Sequence, residues 1–194
     1  MPTIRLPARD GRIEDYATRP PRKFPRATKP FNRVAYAAAH VVADPLADHD
    51  PWLTPAVDWE TTLNFRRHLW SLGLGVAEAM DTAQRGRGLD WPTSLELSER
   101  SGALAKAEGG VIAAGAGTDH LAPAPALSLD DVVRAYAEQC AAVEKAGGRI
   151  ILMASRALAA AARSPDDYAK VYGRILGQVK EPVLIHWLGE MFDP

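Results

Sequence analysis

Cysteine is almost missing from this chain. Cys140 is the single thiol among 194 residues, so no intramolecular disulfide or cysteine-based zinc cluster can hold the fold, which must rest on a packed core. Long apolar runs are missing as well. No stretch approaches the roughly 20 apolar residues of a membrane-spanning helix, and the N-terminus has no apolar signal core. The expectation is a cytoplasmic protein of one ordinary globular class, with no membrane partner. Net charge is nearly absent too, at −1 from 23 basic and 24 acidic residues.

That balance hides an asymmetry. Residues 1–33 hold nine basic residues against three acidic ones, a net of +6, which leaves −7 on the rest. A basic arm can lie on phosphates, but no nucleic-acid motif accompanies it, and nucleic acid is not the expected partner. Residues 3–6 and 12–16 flank Asp10-Gly11, a turn signal for a small hairpin. The proline-rich stretch behind it leads along an acidic body. We therefore divide the chain into a basic arm, residues 1–33, and a body, residues 34–194.

The body alternates apolar runs with longer helical patterns. Residues 34–42, 74–80, 110–115, 149–153 and 182–186 read as strands covered on both faces. Between them Asp58, Ser128 and Ser164-Pro165 mark helix starts, while Gly73 and Gly147-Gly148 mark ends. Trp59, Leu63 and Trp70 are the expected buried face of the first helix, and His68 its solvent side. Gly102 interrupts the second helical pattern. Leu129, Val132, Val133, Tyr136, Cys140 and Val143 form one apolar stripe, so Cys140 reads as a buried small hydrophobe.

Repeated strand-helix units imply parallel pairing with right-handed crossovers. From the second to the fifth, strand starts lie 36, 39 and 33 residues apart, near the roughly 31 per unit of an eight-unit (β/α) TIM barrel. A doubly wound sheet is the second choice. The 161 residues after the arm accommodate about five units at that period, not eight. The expected fold is thus α/β, a TIM-barrel type with about its first five strand-helix units, continued by further chain or completed in a homo-oligomer.

Barrel chemistry sits at the carboxyl ends of the strands. The five ends carry His40 and Asp44; Glu78, Asp81 and Thr82; Thr118, Asp119 and His120; Ser155 and Arg156; and His186, Trp187 and Glu190. Small-molecule binding is the expectation, with His186 as acid/base, His40 or His120 assisting, Arg156 as an anion contact, and Thr82, Asp81 and Asp119 as polar contacts. A lysine imine requires an amine at such an end. Lys106, Lys145 and Lys170 belong to helical patterns, Lys180 precedes the fifth strand, and Lys23 and Lys29 lie in the arm. An imine lysine is therefore expected beyond residue 194. In a second reading, His40, Glu78, Asp119, His120, His186 and Glu190 are the ligand pool of a divalent-metal sugar isomerase or hydrolase, although no HxH or HExxH pair is present. A third is a non-catalytic interaction module that engages a partner through the arm.

The runs Gly115-Ala-Gly-Thr-Asp-His120, Ile150-Ile-Leu-Met-Ala-Ser-Arg156 and His186-Trp-Leu-Gly-Glu190 resemble an uncharacterised bacterial family described as dihydrodipicolinate-synthase-like. The resemblance covers most of residues 31–194. It implies a class I aldolase-type barrel, a lyase acting on a small oxygenated carbonyl metabolite, and an imine lysine on the sixth strand with no cofactor required. Typical synthases carry Gly-Thr-Thr-Gly-Glu after the second strand, whereas this chain has Ala79-Met-Asp-Thr-Ala-Gln-Arg85, in which Thr82 alone aligns. Their tyrosine at the end of the fifth strand is replaced by His186. Dihydrodipicolinate synthesis itself is not expected.

Overall fold

The computed structural model describes residues 2–25, 28–29, 31–122 and 126–189. Two antiparallel strands come first, β1 (Thr3–Pro7) and β2 (Ile13–Ala17). They turn at Asp10-Gly11, where Gly11 has φ of 82° and the Arg12 N–H donates to Asp10 Oδ1. That backbone region suits glycine, which has no Cβ to clash. Every strand residue of this hairpin is exposed, so no core anchors it.

Five parallel strands follow, each beside the next in chain order: β3 (Tyr36–Ala38), β4 (Gly75–Glu78), β5 (Ile112–Ala116), β6 (Arg149–Met153) and β7 (Leu184–His186). Helices α1 (Trp59–Ser71), α2 (Trp91–Glu108), α3 (Leu129–Lys145), α4 (Arg156–Ala161) and α5 (Pro165–Leu176) occupy the crossovers. The result is a parallel half-barrel of five strands joined by four helical crossovers, the last of which holds both α4 and α5. Side chains alternate across it, because successive Cβ atoms point to opposite faces. Tyr36, Ala77, Ala113, Ile151 and Met153 pack on the inner face. On the outer face Ala114, Ala116, Ile150 and Leu152 meet Val132, Val133, Tyr136, Cys140 and Val143 of α3 and Val171 and Ile175 of α5. This stripe is the one the helical period predicts. Each large side chain so buried contributes about 1.5–3 kcal/mol, which makes α3 the main anchor of the sheet.

Several boundaries differ from the sequence reading, each for a physical reason. The first apolar run leaves the ladder after Ala38 because α1 takes over its backbone: Val42 N–H donates to Thr62 Oγ1 at 2.9 Å, and the Arg66 guanidinium donates to the His40 carbonyl. The fully buried residues of α1 are accordingly Thr62, Arg66 and Leu69, while Trp59, Leu63 and Trp70 are half-buried, with Trp59 and Trp70 packed on the core; His68 is exposed. Helix α2 runs through Gly102, whose absent Cβ would lie 2.8 Å from the Ala146 carbonyl oxygen. Glycine there permits close approach to the end of α3. Helix α4 went unread because only Leu158 of its alanine-rich turn is buried, which leaves no apolar period.

Candidate functional site

Two buried arginines organise the carboxyl ends of the strands. Arg66, on α1, donates from Nε and Nη2 to both oxygens of Glu78 at 2.8 and 2.7 Å. Both side chains are 0% exposed. Glu78 shares the outer-face parity of Val76, which packs with Leu69 of α1, so its carboxylate points beneath the helix and not into the barrel mouth. The pair also ties β3 to β4, through the His40 carbonyl on one side and the Ala79 N–H on Glu78 Oε1 on the other.

Arg85 lies beyond the 3-10 turn Asp81–Ala83 that follows β4. Its Nε donates to Asp119, its Nη1 to the carbonyls of Ala79 and Gly115, and its Nη2 to Asp119 and Gln139 Oε1. A guanidinium has five N–H donors, and here all five are used. Arg85 therefore clamps the ends of β4 and β5 to α3 and keeps no donor for a ligand. Its plane lies over Trp91, 5.0 Å from the ring centroid. Burial pulls the Arg85 guanidinium below its ordinary range, with Asp119 opposing, but an arginine stays charged regardless. Burial pushes the Asp119 carboxyl up, yet the Arg85 charge and the hydrogen bonds from Arg85 and Gln139 outweigh it, so Asp119 sits below the usual carboxylate range and is ionised.

Gln139 is oriented by the same network. Its Oε1 accepts from Arg85 and from the Gly117 N–H at 2.6 Å, so its amide nitrogen must face Asp119 Oδ1, at 3.1 Å, and His120 Nδ1, at 2.7 Å. His120 Nδ1 is thereby an acceptor, which leaves the proton on Nε2, 3.2 Å from Glu138 Oε2. The ring packs against Trp91 with centroids 5.9 Å apart.

A cavity of about 520 Å³ opens where β4, β5 and β6 end. Its polar lining comprises Asp81, Arg85, Arg87, Thr118, Asp119, Ser155 and Arg156, with Met153, Leu121, Leu127 and Leu188 as apolar walls. Arg87 and Arg156 are exposed and enter no ion pair among the described residues. Thr118 Oγ1 and Ser155 Oγ lie 2.6 Å apart.

Of the seven residues given a role by sequence, Asp81, Asp119 and Arg156 line this cavity, together with the strand-end residues Thr118 and Ser155, whereas His40, Thr82, His120 and His186 do not. His186 is closest to doing so. It pairs in register with Met153, a lining residue, on the inner face, and its Nδ1 is buried without a hydrogen-bond partner among the described residues. Thr82 lies in the 3-10 turn with its hydroxyl likewise buried and unpartnered. His120 faces Trp91 and Glu138. His40 is exposed beyond β3, at the opposite edge of the sheet from β7. Glu190 lies outside the described residues. Sequence reasoning missed Arg85, Arg87 and Gln139; the Arg-Gly-Arg-Gly run after the second strand was the available signal. The proposed metal pool is split between these locations, and among the described residues no three metal-ligating side chains converge.

Comparison with protein families matches residues 4–194 to a family described as a protein of unknown function, DUF993. The chain belongs to DUF993. No curated protein matches its sequence. Among solved structures, the DUF993 chain is similar to crystalline dihydrodipicolinate synthase from Agrobacterium tumefaciens str. C58, at 18% identity and a TM-score of 0.50, over 82% of this chain and 50% of that one. It thus spans about half the length of that synthase. The likeness shows a shared TIM-barrel-type fold for this chain, and the cavity lies at the end of the sheet where such barrels place their sites.

Proposed function

We propose that this DUF993 chain forms the substrate-holding part of an aldolase-like lyase that acts on a small, negatively charged carbonyl metabolite. The observation that carries this reading is the cavity at the strand ends, with Arg87 and Arg156 free of ion pairs among the described residues. A guanidinium in that state suits a carboxylate or phosphate. Arg156 is the anion contact and His186, beside the cavity wall at Met153, the acid/base group. His120 supports Asp119 through Gln139, and His40 has no assigned part. The described lysines lie on helices, in the arm or, for Lys180, at the opposite end of β7. No covalent step is therefore assigned to this chain.

Calorimetry with pyruvate and 2-oxobutyrate tests the reading, with acetone as the uncharged control. The oxo acids should bind saturably, Arg156→Ala should weaken them at least tenfold, and the His186 ring resonances should move on binding. Equal binding of acetone, or indifference to Arg156→Ala, would overturn it.

A further inference from the structure

The structure assigns the Thr118–Ser155 hydroxyl pair, with Arg156, as an oxyanion subsite in a cavity that also holds two carboxylates able to accept hydroxyl groups, and we infer that the ligand is a small hydroxylated acid of the sugar-acid type. This deepens the preceding reading and rests on it only for the location of the site.

The argument is a proton count. Thr118 is 6% exposed and Ser155 2%, and both line the cavity. Ser155 Oγ accepts from the Leu158 N–H at 2.9 Å, and one hydroxyl donates to the other across 2.6 Å. The two hydroxyls hold two protons between them. One lies between the oxygens, whichever of them donates it. The other has no acceptor among the described residues, so a buried donor faces the cavity, and an unmet donor in such a place is costly. Arg156 follows Ser155 in the chain and lines the same cavity. Together they supply a neutral and a charged donor for one oxyanion.

The same lining also carries the reverse chemistry. Among the described residues Asp119 Oδ1 takes three donors, from Arg85 Nε, Arg85 Nη2 and Gln139, while Oδ2 takes only Arg85 Nε at 3.3 Å. An ionised carboxylate with spare acceptor capacity cannot tolerate a second anion, but it accepts hydroxyl protons. Asp81, exposed on the same lining, has no side-chain donor among the described residues. A ligand that carries one anionic group and several hydroxyls satisfies both sets of lining groups, and about 520 Å³ accommodates an acid of five or six carbons.

Gluconate, hexanoate and glucose separate the contributions in calorimetric titrations of the whole chain. Gluconate should bind at least tenfold more tightly than hexanoate, which lacks hydroxyls, and than glucose, which lacks the charge. The Thr118→Val/Ser155→Ala double variant should weaken gluconate at least tenfold. Because loss of the Ser155 cap itself loosens α4, Ser155→Thr with Thr118→Ser serves as the folded control and should retain binding. Hexanoate binding as tightly as gluconate would overturn the inference while leaving the oxo-acid reading intact. Gluconate binding without oxo-acid binding would support the subsite and overturn the lyase reading. Unchanged affinity in a folded double variant would remove the hydroxyl pair from the site.

Discussion

The two buried arginines, Arg66 from α1 and Arg85 from the loop after β4, both brace the carboxyl end of β4 and do different work. Arg66 and Glu78 are sealed beneath α1, at 0% exposure on both sides. Arg85 is as deeply buried, but its partner Asp119 keeps 20% of its side chain open to the cavity. The first pair holds β3, β4 and α1 together and meets no ligand. The second holds β4, β5 and α3 together while presenting one carboxylate oxygen to whatever enters. A polar group at a strand end is thus not a site in itself. The parity of the residue decides whether it faces the covering helix or the barrel mouth, and solvent access decides whether its charge is available.

Substitutions can break that contrast. The largest effect is expected for Glu78→Leu, which leaves the Arg66 charge buried without a partner and should destabilise the fold by about 3–5 kcal/mol, read as a lower urea midpoint. Adding Arg66→Met should recover most of the loss. If the double variant is no better than the single one, the pair is not a self-contained unit. Arg85→Met should destabilise by about 2–3 kcal/mol, less than Glu78→Leu, because the exposed side of Asp119 can rehydrate. Equal losses for the two would show that the cavity does not admit water to Asp119.

Acid pH sharpens the same comparison. Asp119 is held below its ordinary value in the folded state, so its contribution to stability is present above the unfolded value, about 3.9, and is lost as pH falls through the folded one. Urea midpoints for the native chain and Asp119→Asn should differ at neutral pH and converge below about pH 4. Parallel profiles would remove Asp119 from the acid response. The smallest effect belongs to the unpaired cavity arginine: Arg156→Ala should change stability by no more than about 0.5 kcal/mol, although it should abolish most anion binding. A large stability loss there would mean that Arg156 is a structural ion pair after all.

Cys140 marks the opposite extreme from the cavity. It is 4% exposed, and burial pushes its thiol up to about 11. Reaction with a disulfide reagent at pH 8 should follow unfolding, at a rate that urea accelerates. Fast labelling of the native chain would contradict its place in the α3 core.

Much of this architecture was legible in the chain. Asp58 and Ser128 cap α1 and α3 through their side chains, and α5 starts as read at Ser164-Pro165, where proline fills the first helical position. Residues 149–153 form β6, and the α3 stripe is the buried one. The site was less legible. Asp81, Asp119 and Arg156 lie on the cavity, since strand ends converge in a barrel. Glu78, an equally reasonable choice by position, is turned away by a single step in strand parity. Arg85 was overlooked because it lies seven residues past the end of β4 and reaches the site only through its long side chain.

By itself, the sequence determined the period of strands and helices, the caps that start the helices and the end of the sheet where polar groups collect. Those depend on spacing and on interactions within a few residues. Only the tertiary structure decided which charges neutralise one another, which hydroxyls share a proton and which arginines remain for a ligand. These outcomes depend on distances between groups up to 54 positions apart, such as Arg85 and Gln139, and no local rule reports them.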